Sequence, residues 1–227
     1  LAVSLPFSPV AGGVIPERTY LISLDRRQDK RTLSTNILNR EGVSFELFPA
    51  FDGEKLEVPS EFMASKGAYG CLLSHTEILR RCIADGGGSV MVFEEDIQLA
   101  PDFRHHLRQL LAELDKFDPE WDALMLGGEH RMTPLLTGNS LFVKCLRTHR
   151  THGYILRGKY IAKLYANWSK CNTHCDHCWG AHQGEHRIYA ATSWLCAQRA
   201  GKSDITGMVE GERWWTDKRA QKEQKKK

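Results

Sequence analysis

Apolar and polar positions along this chain switch between a period of two and a period near 3.6, which predicts alternating strands and helices. Residues 19–24, Thr-Tyr-Leu-Ile-Ser-Leu, form a β-rich run that stops at Asp25-Arg26-Arg27. Leu33, Ile37 and Leu38 give residues 30–40 a helical stripe, with Asp29 placed to cap it and Gly42 to end it. A strand over 44–48 follows, then a loop through Ala50, Phe51, Asp52 and Gly53. From 70 to 84, Leu72, His75, Leu79, Cys82 and Ile83 recur at helical spacing, and Gly86-Gly87-Gly88 breaks the pattern. The unbroken apolar run 90–93 predicts a central strand buried on both faces. It ends abruptly in Glu94-Glu95-Asp96. Pro101-Asp102 starts a helix whose inner face is Phe103, Leu107, Leu110, Leu111 and Leu114, and a strand over 121–126 closes at Gly127-Gly128. The second half is less regular, with strands over 153–156, 188–191 and 195–198 and a helix over 159–168. The alternation predicts an α/β fold: a mostly parallel central sheet with helices on both faces. Such sheets bind ligands beyond the carboxyl ends of their strands, where residues 94–96 fall.

A length of 227 residues suits one domain, expected over 18–216, between a flexible segment at 1–17 and a basic tail at 217–227. No run of about 18 apolar residues predicts a membrane span. The uncharged opening lacks the positive region of a signal peptide and does not begin with Met, as a trimmed terminus would. The net charge of +3 is uneven: six basic residues and one acid lie within 218–227, leaving about −2 elsewhere. That body does not look like a nucleic-acid groove. The tail either solvates or tethers an anionic acceptor or surface. Seven cysteines, an odd number, suggest a reducing compartment such as the cytoplasm.

Three consecutive carboxylates need an explanation, because unpaired they repel and one keeps its proton. Carboxylate oxygens suit Mg²⁺ or Mn²⁺, so Asp96 and Glu94 are candidate metal ligands that could hold a nucleotide diphosphate. A solvated acidic turn is the alternative. Cys171, Cys175 and Cys178, with histidines nearby, have residue types that can bind a structural Zn²⁺. A metal-free cysteine-rich loop is the reading favoured over it.

The segment 21–27 with Asp29 and Arg31, the run 48–53 ending Ala-Phe-Asp-Gly, and Gly67-Ala-Tyr-Gly-Cys-Leu-Leu-Ser-His75 together resemble glycosyltransferase family 25. Residues 93–97, Gly153-Tyr154 and Ser203-Asp204-Ile205 continue the likeness in order. The resemblance implies a GT-A type fold, a nucleotide-sugar donor such as a UDP-sugar, and a divalent metal. It implies donor contacts from Leu24, Asp25, Arg26, Arg31, Ser74, His75, Glu94 and Glu95. Arg27 belongs instead to a solvated loop. Two positions depart from the family: Glu95 stands where Asp is usual and Ser23 where Asn is usual. An inverting transfer is implied, and it needs a separate carboxylate base. Asp176 is the candidate and Glu185 its competitor. Three functions stay open: hexose transfer to a hydroxyl on a saccharide or protein, transfer to a hydroxymethylated base in DNA, and a catalytically silent sugar-nucleotide-binding module.

Overall fold

The computed structural model describes residues 13–16, 18–205 and 207–211. The basic tail and most of the expected flexible opening lie outside the described residues. In the first half, β1 (Thr19–Ser23), α1 (Gln28–Arg40) and β2 (Glu46–Pro49) lead to α2 (Lys66–Ala84), β3 (Ser89–Glu94) and β4 (Ile97–Leu99). There follow α3 (Phe103–Phe117), β5 (Ala123–Met125) and four short strands: β6 (Glu129–His130), β7 (Leu135–Leu136), β8 (Phe142–Lys144) and β9 (Thr148–His149). The chain ends through β10 (Gly153–Arg157), α4 (Tyr160–Trp168), α5 (Cys175–His182), β11 (Ile188–Ala191), β12 (Cys196–Gln198), β13 (Gly201–Lys202) and β14 (Val209–Glu210).

Eight strands make one sheet in the order β2-β1-β3-β10-β5-β11-β8-β7. β1 is parallel to β2 and β3, and β5 to β11. β10 runs antiparallel between β3 and β5, and β8 antiparallel between β11 and β7. Six of the eight strands therefore point one way, yet the sheet is mixed at the level of pairs. The reversal of β10 has a local cause. Residues 126–152 contain no helix, so nothing returns the chain to the far end of the sheet, and β10 enters from the end where β5 left.

Alternate residues of β3 face opposite layers. Val90 and Val92 pack with Leu72 and Leu79 of α2 and Leu164 of α4, while Met91 and Phe93 pack with Leu107 and Leu111 of α3 and Leu38 of α1. Helices thus cover both faces, and β3 is buried on both, as its unbroken apolar run requires.

Two local expectations change. Asp29 does not cap α1: it lies inside the first turn, where its carboxylate accepts from Arg27 Nε and Nη2, both at 3.1 Å. α2 starts four residues earlier than its apolar spacing shows, because Ser65 Oγ accepts from the Ala68 N–H at 3.2 Å and caps it. The polar first turn of α2 carries no apolar stripe, so periodicity alone misses it.

Candidate active site

β1 and β3 end side by side, with Ile22 opposite Glu94, and the turn Glu95-Asp96 leads into β4. β4 pairs antiparallel with β12, which sets Gln198 opposite Ile97 and beside Asp96. The three carboxylates diverge from this turn. Glu94 Oε1 accepts from Thr151 Oγ1 at 2.7 Å and faces His75 Nε2 at 3.3 Å. Burial pushes Glu94 upward, but the His75 and Thr151 bonds win and hold it near 2. Glu95 turns toward β1, where its Oε2 accepts from Ser23 Oγ at 2.7 Å and from the Leu24 N–H at 2.9 Å. Burial raises it to about 7 despite those bonds. Asp96 accepts from Gln198 Nε2 at 3.3 Å and stands 3.9 Å from Lys30 Nζ. Burial, then the nearby Glu94 charge, raises it to about 6.

Two compartments open above this floor and share a common wall of Lys30, Cys71, Glu94, Asp96, Gln198, Ser203 and Ile205. Their open volumes are 710 and 990 Å³. Of the expected donor residues, Leu24, Arg26, Ser74, His75, Glu94 and Glu95 line the first. Asp25 and Arg31 do not. Asp25 is exposed, and Arg31 joins it to Ser23 through bonds of 2.9 and 3.0 Å. Ser74 accepts from the Phe51 N–H at 2.9 Å and so fixes the loop that brings Phe51 and Asp52 to the cleft. Asp176 lines the second compartment, where its Oδ2 accepts from the Arg150 N–H at 3.0 Å. Glu185 lines neither; its side chain is 73% exposed and faces His182 at 3.8 Å.

Several lining residues escape a reading of the sequence. Lys30 reaches back from the first turn of α1, and Asp204 arrives from far down the chain to bind Lys30 at 3.0 Å and Arg26 at 2.5 Å. Lys30 and Arg26 keep Asp204 ionised against its burial. Asp204 also binds Arg27, whose side chain is mostly buried rather than solvated as expected. The Ser203-Asp204-Ile205 likeness was a signal for this contact, but it names no partner. Gly67 and Gly70 give a second signal. A Cβ on Gly70 would stand 2.3 Å from the Phe51 carbonyl oxygen, and one on Gly67 would stand 2.3 Å from that of Asp204. The two glycines therefore let both cleft loops lie directly on α2.

The cysteine expectation is corrected. Cys171 and Cys178 form a disulfide, so neither sulfur is a thiolate able to ligate zinc together with Cys175.

The profile of glycosyltransferase family 25 (LPS biosynthesis protein) matches residues 17–179. The chain belongs to glycosyltransferase family 25. An Aedes aegypti glycosyltransferase 25 family member is 26% identical over 165 residues, covering 64% of this chain and 27% of the relative. The human inactive glycosyltransferase 25 family member 3 is 30% identical over 128 residues, covering 49% and 22%. Mouse procollagen galactosyltransferase 2 is 23% identical, covering 49% and 20%. The chain thus spans about a quarter of the length of the family 25 relatives it matches. Among solved structures, a UDP-glucose pyrophosphorylase with UDP-glucose aligns at a TM-score of 0.48 and 11% identity, over 78% of this chain and 90% of the other. Within the family 25 motif, His75 faces Glu94 of the floor, Cys71 faces Cys175, and the glycines make room for the loops.

Proposed function

We propose that this chain is the catalytic unit of a metal-dependent, inverting glycosyltransferase, taking a hexose from a UDP-sugar to a hydroxyl on a saccharide or protein. One observation supports it above others: Glu94 and Asp96 belong to the wall common to two compartments, with the donor-facing residues in one and Asp176 in the other. Donor and acceptor would then meet at the carboxylates.

The donor set fits a divalent cation. Asp96 is half-buried beside an ionised Glu94, and burial and then that charge raise it to about 6, a cost that a hard cation with oxygen preference relieves. Glu94 and Asp96 would hold the ion, which neutralises charge on a departing diphosphate when bound. Glu95 fits less well, since its Oε2 already accepts two bonds from β1 and the residue after it. Arg26 and Lys30 supply positive charge for phosphates, in exchange for Asp204. Phe51, 40% exposed at the cleft, offers a face for a nucleobase. Asp176 takes the acceptor proton through Oδ1, while the Arg150 N–H orients the carboxylate through Oδ2. Its position in the acceptor compartment favours it over Glu185.

The mouse relative's name supports a protein acceptor. The Cys171–Cys178 disulfide favours an oxidising compartment over the cytoplasm. A silent nucleotide-sugar module is the second reading, favoured by the human relative called inactive and by the diverted Glu95. The test is transfer from UDP-hexoses to hydroxyl acceptors with Mn²⁺, read by mass spectrometry, with and without EDTA. Transfer undiminished by EDTA overturns the metal; donor binding with neither hydrolysis nor transfer supports the silent module.

A further inference from the structure

Cys71 of α2 and Cys175 of α5 lie 104 residues apart in sequence, yet their sulfurs are 3.9 Å apart. His75 follows Cys71 by one helical turn on the same face of α2. One ligand-capable atom from each of Cys71, His75 and Cys175 lies within 4.8 Å of the other two. With Cys171 and Cys178 spent in their disulfide, Cys175 is the free thiol of its segment.

We propose that Cys71, His75 and Cys175 form a zinc site distinct from the Glu94–Asp96 carboxylates, joining α2 to α5 beneath the cleft. Two thiolates on a tetrahedral zinc, each at about 2.3 Å, stand about 3.8 Å apart, so the observed separation needs no backbone movement. Two protonated thiols in contact reach a similar spacing; the third, imidazole ligand converging on them is what separates a site from a contact. His75 is already oriented for ligation. Its Nδ1 meets the Tyr154 hydroxyl at 2.8 Å, the kind of outer bond that fixes a metal-binding imidazole, and Nε2 would exchange its 3.3 Å contact with Glu94 for the metal. Thr151 Oγ1, 3.8 Å from the Cys175 sulfur, flanks the remaining coordination position, which a water can take. An ion can enter, since Cys71 lines both compartments and Cys175 the second.

Ligand softness sorts the two sites. Two sulfurs and an imidazole select zinc, whereas the carboxylates of Glu94 and Asp96 select Mg²⁺ or Mn²⁺. The zinc also has a positioning role, because Cys175 directly precedes Asp176. Binding zinc releases the two thiol protons, and the Sγ–Zn bonds then fix the first turn of α5.

The experiment uses the full chain with its disulfide intact, loaded with zinc alone and then with cobalt alone. One zinc per chain by elemental analysis is expected. Cobalt is expected to show thiolate-to-metal charge transfer and tetrahedral ligand-field bands. Cys175→Ser and Cys71→Ser should lose both signals, Cys171→Ser/Cys178→Ser should keep them, and Asp96→Ala should lose transfer but keep zinc. The last outcome separates this site from the transferase reading. Should Cys175→Ser fail to fold, thiol titration of the unmutated chain decides: zinc should shield two thiols and a chelator should expose them. Absence of stoichiometric zinc, cobalt without thiolate bands, or a Cys71–Cys175 disulfide in peptide maps overturns the proposal.

Discussion

Glu94, Glu95 and Asp96 are consecutive, yet each faces different partners, and those partners decide their roles. Asp96 has only long contacts, 3.3 and 3.4 Å from one amide and 3.9 Å from Lys30, and the strongest reason to want a cation. Asp96→Ala is expected to abolish transfer and weaken donor binding while far-ultraviolet circular dichroism stays unchanged; full activity in that variant removes the metal reading. Asp176→Asn keeps the shape and the Arg150 contact but not the base. It should lower kcat by about 10²-fold or more with donor Kd unchanged, and turnover near the wild-type rate would end Asp176's candidacy. A third prediction concerns acid. Burial lowers the fully buried His152 from 6.5 to about 4. Between those values the unfolded chain binds a proton that the folded chain refuses, so this stability, complete above about 6.5, is lost as pH falls toward 4. At about 1.4 kcal/mol per unit, the loss by pH 4 is about 3 kcal/mol. Glu95 and Asp96, both raised by burial, slope the opposite way over an overlapping range. The informative quantity is therefore the difference between wild type and His152→Gln in urea unfolding at a series of pH values. That difference should shrink as pH falls from 6.5 to 4. At this scale the sequence reveals Glu94 and Asp96, because an apolar strand ending in acids is a local signal. It hides Lys30 and Asp204, whose meeting depends on contacts across 174 residues.

Among the elements, α2 shows best what periodicity can and cannot reveal. Its apolar stripe from Leu72 onward was legible; its first turn was not, because that turn serves the loops rather than the core. Gly70→Ala tests this. A methyl there would stand 2.3 Å from the Phe51 carbonyl oxygen and 2.7 Å from the Gly53 nitrogen, both backbone atoms that cannot rotate aside. Displacing the 51–53 loop should cost about 1–3 kcal/mol and weaken donor binding more than acceptor binding. Thermal unfolding and donor titration check both parts; a variant with wild-type donor affinity denies the loop its place in the first compartment. β10 is the counterpart on the sheet. Its composition reads as a strand, but its direction depends on the helix-free connection before it, and strand composition does not encode direction. That direction matters, since it delivers Thr151 and Arg150 to the same end of the sheet as Glu94.

For the whole molecule, the α/β layering followed from the alternation of periods, whereas the mixed pairing followed from connections the periods do not describe. Charge is also a property of the whole. The six basic residues of 218–227 set the sign of the net charge. If they only solvate, removing them leaves the transfer rate on a neutral acceptor unchanged at every salt concentration. Steering of an anionic acceptor would instead raise its KM at low salt alone, because salt screens the effect. The strand order bears on how the molecule is made. β3 pairs with β1 through residues already synthesised, but its other edge waits for β10, and one helix, α3, and six short strands, β4 to β9, lie between Glu94 and Gly153. Until residue 157 has emerged, a nascent chain presents an apolar, half-paired edge at the centre of its future sheet. Such long-range pairing folds slowly and is open to association with other chains meanwhile. Fragments that stop before β10 should therefore aggregate rather than fold, and production of this domain should favour slow synthesis and chaperones that shield a strand edge.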